Sequence, residues 1–155
     1  MNKKLPPVVY LSLEIALESQ LRTYAGGLGV LAGDILKSAA NIKFPMVGLS
    51  LFNRHGYLRQ TIDSDGQQII SDDLSRRSRS LKKLPATTVV KIGSHDITVG
   101  VWQANICGPD NFLVPVYFLD TDREAINRDG IWRGHLSFML LVVFYMLLLR
   151  RKSER

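Results

Sequence analysis

Three glycines in four positions, Gly26, Gly27 and Gly29, mark the stretch of this 155-residue chain best suited to chemistry. They lie within Thr23-Tyr24-Ala25-Gly26-Gly27-Leu28-Gly29-Val30-Leu31-Ala32-Gly33-Asp34. Glycine leaves no side chain to keep a ligand off the backbone, and it adopts φ > 0 where other residues resist. The residues after the glycines read as helix. Val30, Leu31, Ile35, Leu36 and Ala39 recur at helical spacing, with Asp34, Lys37, Ser38 and Asn41 between them. A glycine loop entering a helix leaves backbone N–H groups without intrahelical acceptors, and the helix dipole adds about half a positive charge there. Phosphate, sulfate or a carboxylate can be held on such amides with no cationic side chain. The same letters also suit a purely structural joint, in which Gly33 serves close packing of the helix.

The spacing Gly27-x-Gly29-x-x-Ala32 fits a dinucleotide-binding fingerprint as well. Its surroundings do not. The strand candidate Val8–Leu13 ends well before the loop, and no Asp or Glu closes the next strand near Leu51–Asn53, where a ribose hydroxyl would be held.

Other chemistries are poorly served. Cys107 is the only cysteine, which rules out an internal disulfide and a thiolate metal cluster, and fits a reducing, cytoplasmic setting. His55, His95 and His135 are far apart and show no ligand spacing. The net charge of +6 gathers at Arg76, Arg77, Arg79, Lys82 and Lys83 and at Arg150-Arg151-Lys152 with Arg155. No aromatic residue interleaves the first run, which argues against nucleic acid. Lys3 and Lys4 are followed by Pro6 and Pro7 rather than a long apolar core, so no secretory signal is expected.

The elements that would position the glycine loop emerge from patterning. Val8–Leu13 is a short apolar run suited to a buried strand ending at Glu14, and Ile15–Leu21 suggests a helical turn or two. Pro45–Phe52 reads as a second buried strand after the helix, completing a βαβ unit of a parallel sheet. Gly56–Ile62 and Gln67–Ile70 flank Asp63-Ser64-Asp65-Gly66 and predict a hairpin. Ser71–Lys83 reads as a polar, basic loop. Thr87–Ile92 and Asp96–Trp102 flank Gly93-Ser94-His95 and predict a second hairpin, and Phe112–Leu119 a further strand. On this reading an α/β start carries an antiparallel β-hairpin insertion. Residues 1–130 form one partial domain and 131–155 a tail. Within that tail Leu136–Leu149 is apolar except for Ser137 and Tyr145, with no helical amphipathicity, so it requires full burial or a bilayer. At fourteen residues it is shorter than the roughly 20 that a spanning helix needs.

Several motifs in order resemble the N-terminal part of α-glucan (glycogen, starch or maltodextrin) phosphorylases of the shorter bacterial and archaeal type. They are Tyr10-Leu11-Ser12-Leu13-Glu14, the stretch Thr23–Asp34, Pro45-Met46-Val47-Gly48, Arg54-x-Gly56-Tyr57-x-Arg59-Gln60, Ile62-Asp63-x-Asp65-Gly66 and Val114–Asp122. The resemblance implies an incomplete Rossmann-like part of a GT-B-type glycosyltransferase fold. It implies phosphorolysis of α-1,4-glucans by inorganic phosphate, releasing glucose 1-phosphate with pyridoxal phosphate as cofactor, and a dimer in full-length relatives. Gly26 and Gly27 would then contact the substrate and cofactor phosphates, Leu28 would line the glucosyl site, and Glu14 would stand beside it. Tyr24 and Asp34 match the motif in structural roles.

Three departures stand against this pattern. Gln67 replaces the usual Trp after Asp-Gly, and an apolar run replaces the Tyr-Gly-Gly-Asp-like segment expected near Gly134-His135-Leu136. No residue corresponds to the cofactor lysine. The expectation is therefore a phosphorylase piece, inactive alone and poorly soluble, whose tail comes from a frameshift or an early stop. A phosphosugar- or glucan-binding module and a small membrane-anchored protein held by Leu136–Leu149 are the alternatives.

Overall fold

A computed structural model describes residues 6–19, 21, 23–52, 59–71, 80–92 and 95–121. Within them lie strand β1 (Val8–Leu11), helix α1 (Gly27–Asn41), β2 (Met46–Leu51), β3 (Arg59–Ile62), β4 (Gln68–Ser71), β5 (Lys82–Ile92), β6 (His95–Cys107) and β7 (Leu113–Asp120). Five strands form one sheet in the order β1-β2-β7-β6-β5, and β3 and β4 form a separate two-stranded hairpin. β1 and β2 pair in parallel, as do β2 and β7, whereas β6 runs antiparallel to both β7 and β5. The fold is mixed α/β, and four of the five sheet strands point the same way.

The βαβ unit is as expected, and so is the first hairpin. Asp63 Oδ1 accepts from the N–H groups of Asp65 (3.0 Å) and Gln67 (2.8 Å), and Gly66 takes φ 77° to close that turn. The second hairpin is no insertion. β5 and β6 continue the main sheet, because β7 returns to pair with β2 at Gly48↔Val116 through Leu51↔Leu119. Such a register depends on residues far apart in sequence, and local alternation carries no trace of it. β5 is the far edge of the sheet, and a register shift between Lys83 and Thr87 brackets Pro85. Proline and lysines on an edge discourage pairing with another chain.

α1 packs on one sheet face through Ala32, Leu36, Ala39 and Ala40, against Ala104, Val114, Val116 and Phe118. Here the expected apolar stripe is rotated. Val30 and Leu31 are exposed, and Gly29, Ala32 and Gly33 turn inward instead. A pattern weighted to large side chains misses a contact built from small ones. Close approach demands them, since a Cβ on Gly48 would meet Leu36 Cδ1 at 2.9 Å and the Val116 methyls at 3.1 Å. Past the helix, Lys43, Asp110 and Asn111 adopt left-handed backbone, and the Lys43 ammonium pairs with the Asp110 carboxylate, tying the end of α1 to the β6–β7 turn. The helical turn expected over Ile15–Leu21 is absent among the described residues: 14–18 form no regular element, and Ile15 and Leu21 are fully buried in the α1-side core.

On the same β2 face as Gly48, Ser50 is fully buried and its Oγ has no hydrogen-bond partner among the described residues. An unsatisfied buried hydroxyl is destabilising, so Ser50→Ala is expected to raise the unfolding free energy by about 1 kcal/mol. Urea unfolding of the two chains checks this, and a less stable variant would mean that the hydroxyl is in fact satisfied.

Candidate functional site

The loop between β1 and α1 owes its shape to one tightly laced segment. The Thr23 hydroxyl donates to the Ile15 carbonyl at 2.6 Å in a buried contact, and the Ala16 N–H donates to the Gly29 carbonyl at 2.9 Å. Glu14, half-buried just beyond β1, accepts from the Ala25 N–H through Oε2 at 3.2 Å. Its carboxylate therefore fixes the residue that precedes the glycines, the tethering role open to a strand-end acid.

The four glycines divide into two kinds. Gly29 and Gly33 are packed shut: an added Cβ would lie 2.3 Å from Tyr24 Cβ at Gly29, and 2.0 Å from the Ala16 carbonyl oxygen at Gly33. Gly26 and Gly27 have nothing among the described residues within 4 Å of such a Cβ. The expectation that this loop exploits φ > 0 is corrected. Gly26 is extended (φ −153°, ψ −159°), and Gly66 is the glycine with positive φ among the described residues. Glycine serves contact at 29 and 33, and bareness at 26 and 27.

Gly26 caps α1 with no side-chain hydrogen bond, and no acidic residue occupies the first turn. The amides of Gly27, Leu28 and Gly29 precede the first i→i−4 acceptor, whereas Val30 N–H reaches the Gly26 carbonyl at 3.3 Å. These amides open at the carboxyl end of the parallel strands, since α1 must run back against β1 and β2 to join them. Leu28 is 56% exposed beside them. Backbone donors and a positive dipole end are what a helix N-terminus offers an anion, and Leu28 adds an apolar neighbour.

Tyr24 and Asp34 lie apart from the bare glycines. Both line a cleft of about 220 Å³ with Ala16, Glu18, Val30 and Lys37, and Asp34 pairs with Lys37 at 3.9 Å. At the carboxyl end of β7 sits a pair that sequence reasoning missed. Trp102 Nε1 donates to Asp120 Oδ2 at 2.7 Å in a buried contact. The signal was the shared inward face of adjacent strands, with Gly100 opposite Asp120 and Trp102 opposite Phe118.

No group of His, Cys, Asp and Glu among the described residues could hold a metal. Nor is any helix among them long and apolar enough to cross a membrane. Gln67 lies at the described first turn, whereas His55, His135 and Leu136–Leu149 fall outside the described residues.

Comparison with known proteins finds glycogen and maltodextrin phosphorylases. No family model matches the chain. Over 130 residues it is 33% identical to a maltodextrin phosphorylase of Thermococcus litoralis, covering 79% of this chain and 15% of that enzyme. Over 147 residues it is 32% identical to a glycogen phosphorylase of Aquifex aeolicus, covering 88% of this chain and 20% of that enzyme. A glycogen phosphorylase of Mycobacterium tuberculosis is 33% identical over 130 residues, 79% of this chain and 14% of the relative. The chain thus spans a fifth or less of the length of these curated relatives.

Proposed function

We propose that this chain, a relative of glycogen and maltodextrin phosphorylases over most of its length, supplies the phosphate-holding corner of an α-glucan phosphorylase. The observation that carries this reading is the pair of bare glycines, Gly26 and Gly27, at the start of α1, whose first-turn amides have no i→i−4 acceptor. In the reaction, inorganic phosphate takes the terminal α-1,4-linked glucose. A phosphate oxygen bonds to C1 as the bond from C1 to the glycosidic oxygen breaks, that oxygen gains a proton, and glucose 1-phosphate leaves.

Within this scheme the amides of Gly27, Leu28 and Gly29 offset phosphate charge as preorganised dipoles. Gly26 and Gly27 let the oxygens approach the backbone, Leu28 presents an apolar surface to the glucosyl ring, and Glu14 keeps the loop in place through Ala25. Pyridoxal phosphate, whose phosphate the open cradle also fits, would supply the proton donor and acceptor. No residue here matches the lysine that would bind it, so the chain alone releases no glucose 1-phosphate. The sheet would form part of a GT-B-type enzyme acting in the cytoplasm on α-1,4-glucan and phosphate, as a dimer.

Titration of the isotopically labelled chain with inorganic phosphate tests the cradle. The amide signals of Gly27, Leu28 and Gly29 should shift saturably. Gly27→Val should weaken that binding at least tenfold while leaving the melting temperature unchanged, because nothing among the described residues lies within 4 Å of its Cβ. Unshifted loop amides would remove the reading, and glucose 1-phosphate release by the chain alone would refute its inactivity.

A further inference from the structure

The main sheet has a second apolar face, opposite α1. Leu49, Leu51, Val90, Ile97, Val99 and Leu119 cluster there, all of them from strands β2, β5, β6 and β7. Side chains on a bare sheet face keep contact with water from above. These six are only 1–5% exposed, although no helix or turn among the described residues joins their cluster. α1 contributes to the other cluster alone.

We propose that this face is the docking surface for the chain's own apolar run Leu136–Leu149. Chemistry favours that occupant first. The run has no polar stripe, so it needs apolar cover rather than one wet side, and the six side chains offer an unbroken apolar floor. Arg133 and His135 before it and Arg150-Arg151-Lys152 after it keep charge at its two ends, where long basic side chains reach water. Topology favours it next. A right-handed β1–α1–β2 crossover places α1 on one face while stepping from β1 toward β7. Among the described elements α1 covers only the other face, so the chain that follows β7 at Asp120 meets no described helix on this one. Reach permits it, because the fifteen residues between Asp120 and Leu136 can extend about 50 Å. A five-stranded sheet is only about 20 Å wide.

The test uses the full chain with Tyr117 replaced by the photo-crosslinker p-benzoylphenylalanine. Tyr117 is half-buried at the margin of this face, and the substitution keeps an aromatic ring. Irradiation of a mixture of ¹⁴N- and ¹⁵N-labelled chains should join position 117 to peptides within 134–150 of the same chain, with no mixed-isotope products. Flotation with phosphatidylcholine–phosphatidylglycerol vesicles should leave the chain in the lower fraction. Three results would overturn the proposal: mixed-isotope crosslinks, which mean a second copy covers the face; chain floating with the vesicles, which means the run enters a bilayer; or crosslinks that all lie outside 134–150. None of these readouts depends on phosphate or glucan.

Discussion

Trp102→Ala is expected to lower the unfolding free energy by about 3–5 kcal/mol, the cost of emptying a large buried aromatic site. Trp102 is 6% exposed in the α1-side core. Its ring meets Phe52 at 5.5 Å between centroids, tilted by 42°, and the Lys83 ammonium stands 5.7 Å over its face. It also donates to the buried Asp120 carboxylate at 2.7 Å. Trp102→Phe separates these contributions. It keeps most of the aromatic packing and removes the N–H, and a hydrogen bond to a charged group contributes about 1.5–3 kcal/mol. Urea unfolding of wild type and both variants gives the comparison. Equal losses in the two variants would mean that the hydrogen bond, and not the packing, dominates at this position.

Gly33→Ala is the second large effect. In most exposed helix interiors this change stabilises by up to about 1 kcal/mol. Here the new methyl would sit 2.0 Å from the Ala16 carbonyl oxygen, and backbone cannot rotate aside as a flexible side chain can. Overpacking of this kind costs about 3 kcal/mol, so a net loss near 2 kcal/mol is expected, or roughly 5 °C in melting temperature for a chain of this size. The shift has a local signature too. Pushing α1 away from residue 16 stretches the bond from the Ala16 N–H to the Gly29 carbonyl, so the Ala16 amide should exchange with solvent faster. A melting temperature raised by this substitution would show that helix and segment separate freely.

Much of the loop's surroundings is legible in the amino-acid order alone, because its logic is local. Val8–Leu11, the helix after the glycines and Met46–Leu51 announce themselves by composition and spacing, and Asp63–Gly66 by turn chemistry. Three things are hidden there. The inward turn of Gly29, Ala32 and Gly33 reverses the usual equation of burial with large apolar side chains. The irregular course of residues 14–18 is imposed by tertiary bonds such as Thr23 to Ile15, against a mild helical preference. The joining of β5, β6 and β7 to the parallel strands rests on pairing between distant residues. At the candidate site the same division holds. The glycines are visible, but that two are bare and two packed is a property of Glu14, Ala16 and Tyr24 around them.

The pairing of β2 with β7 also sets a timetable for synthesis. Gly48 meets Val116, and Leu51 meets Leu119, after nearly seventy intervening residues. A ribosome adding 5–20 residues per second needs roughly 3–14 s to make that stretch. Throughout that interval β2 lacks its inner neighbour, and the side of α1 bearing Leu36 and Ala39 lacks the Val114, Val116 and Phe118 it will pack against. The nascent chain therefore carries a sticky, half-built core for seconds, which makes it a natural client for chaperones that bind apolar segments as they emerge.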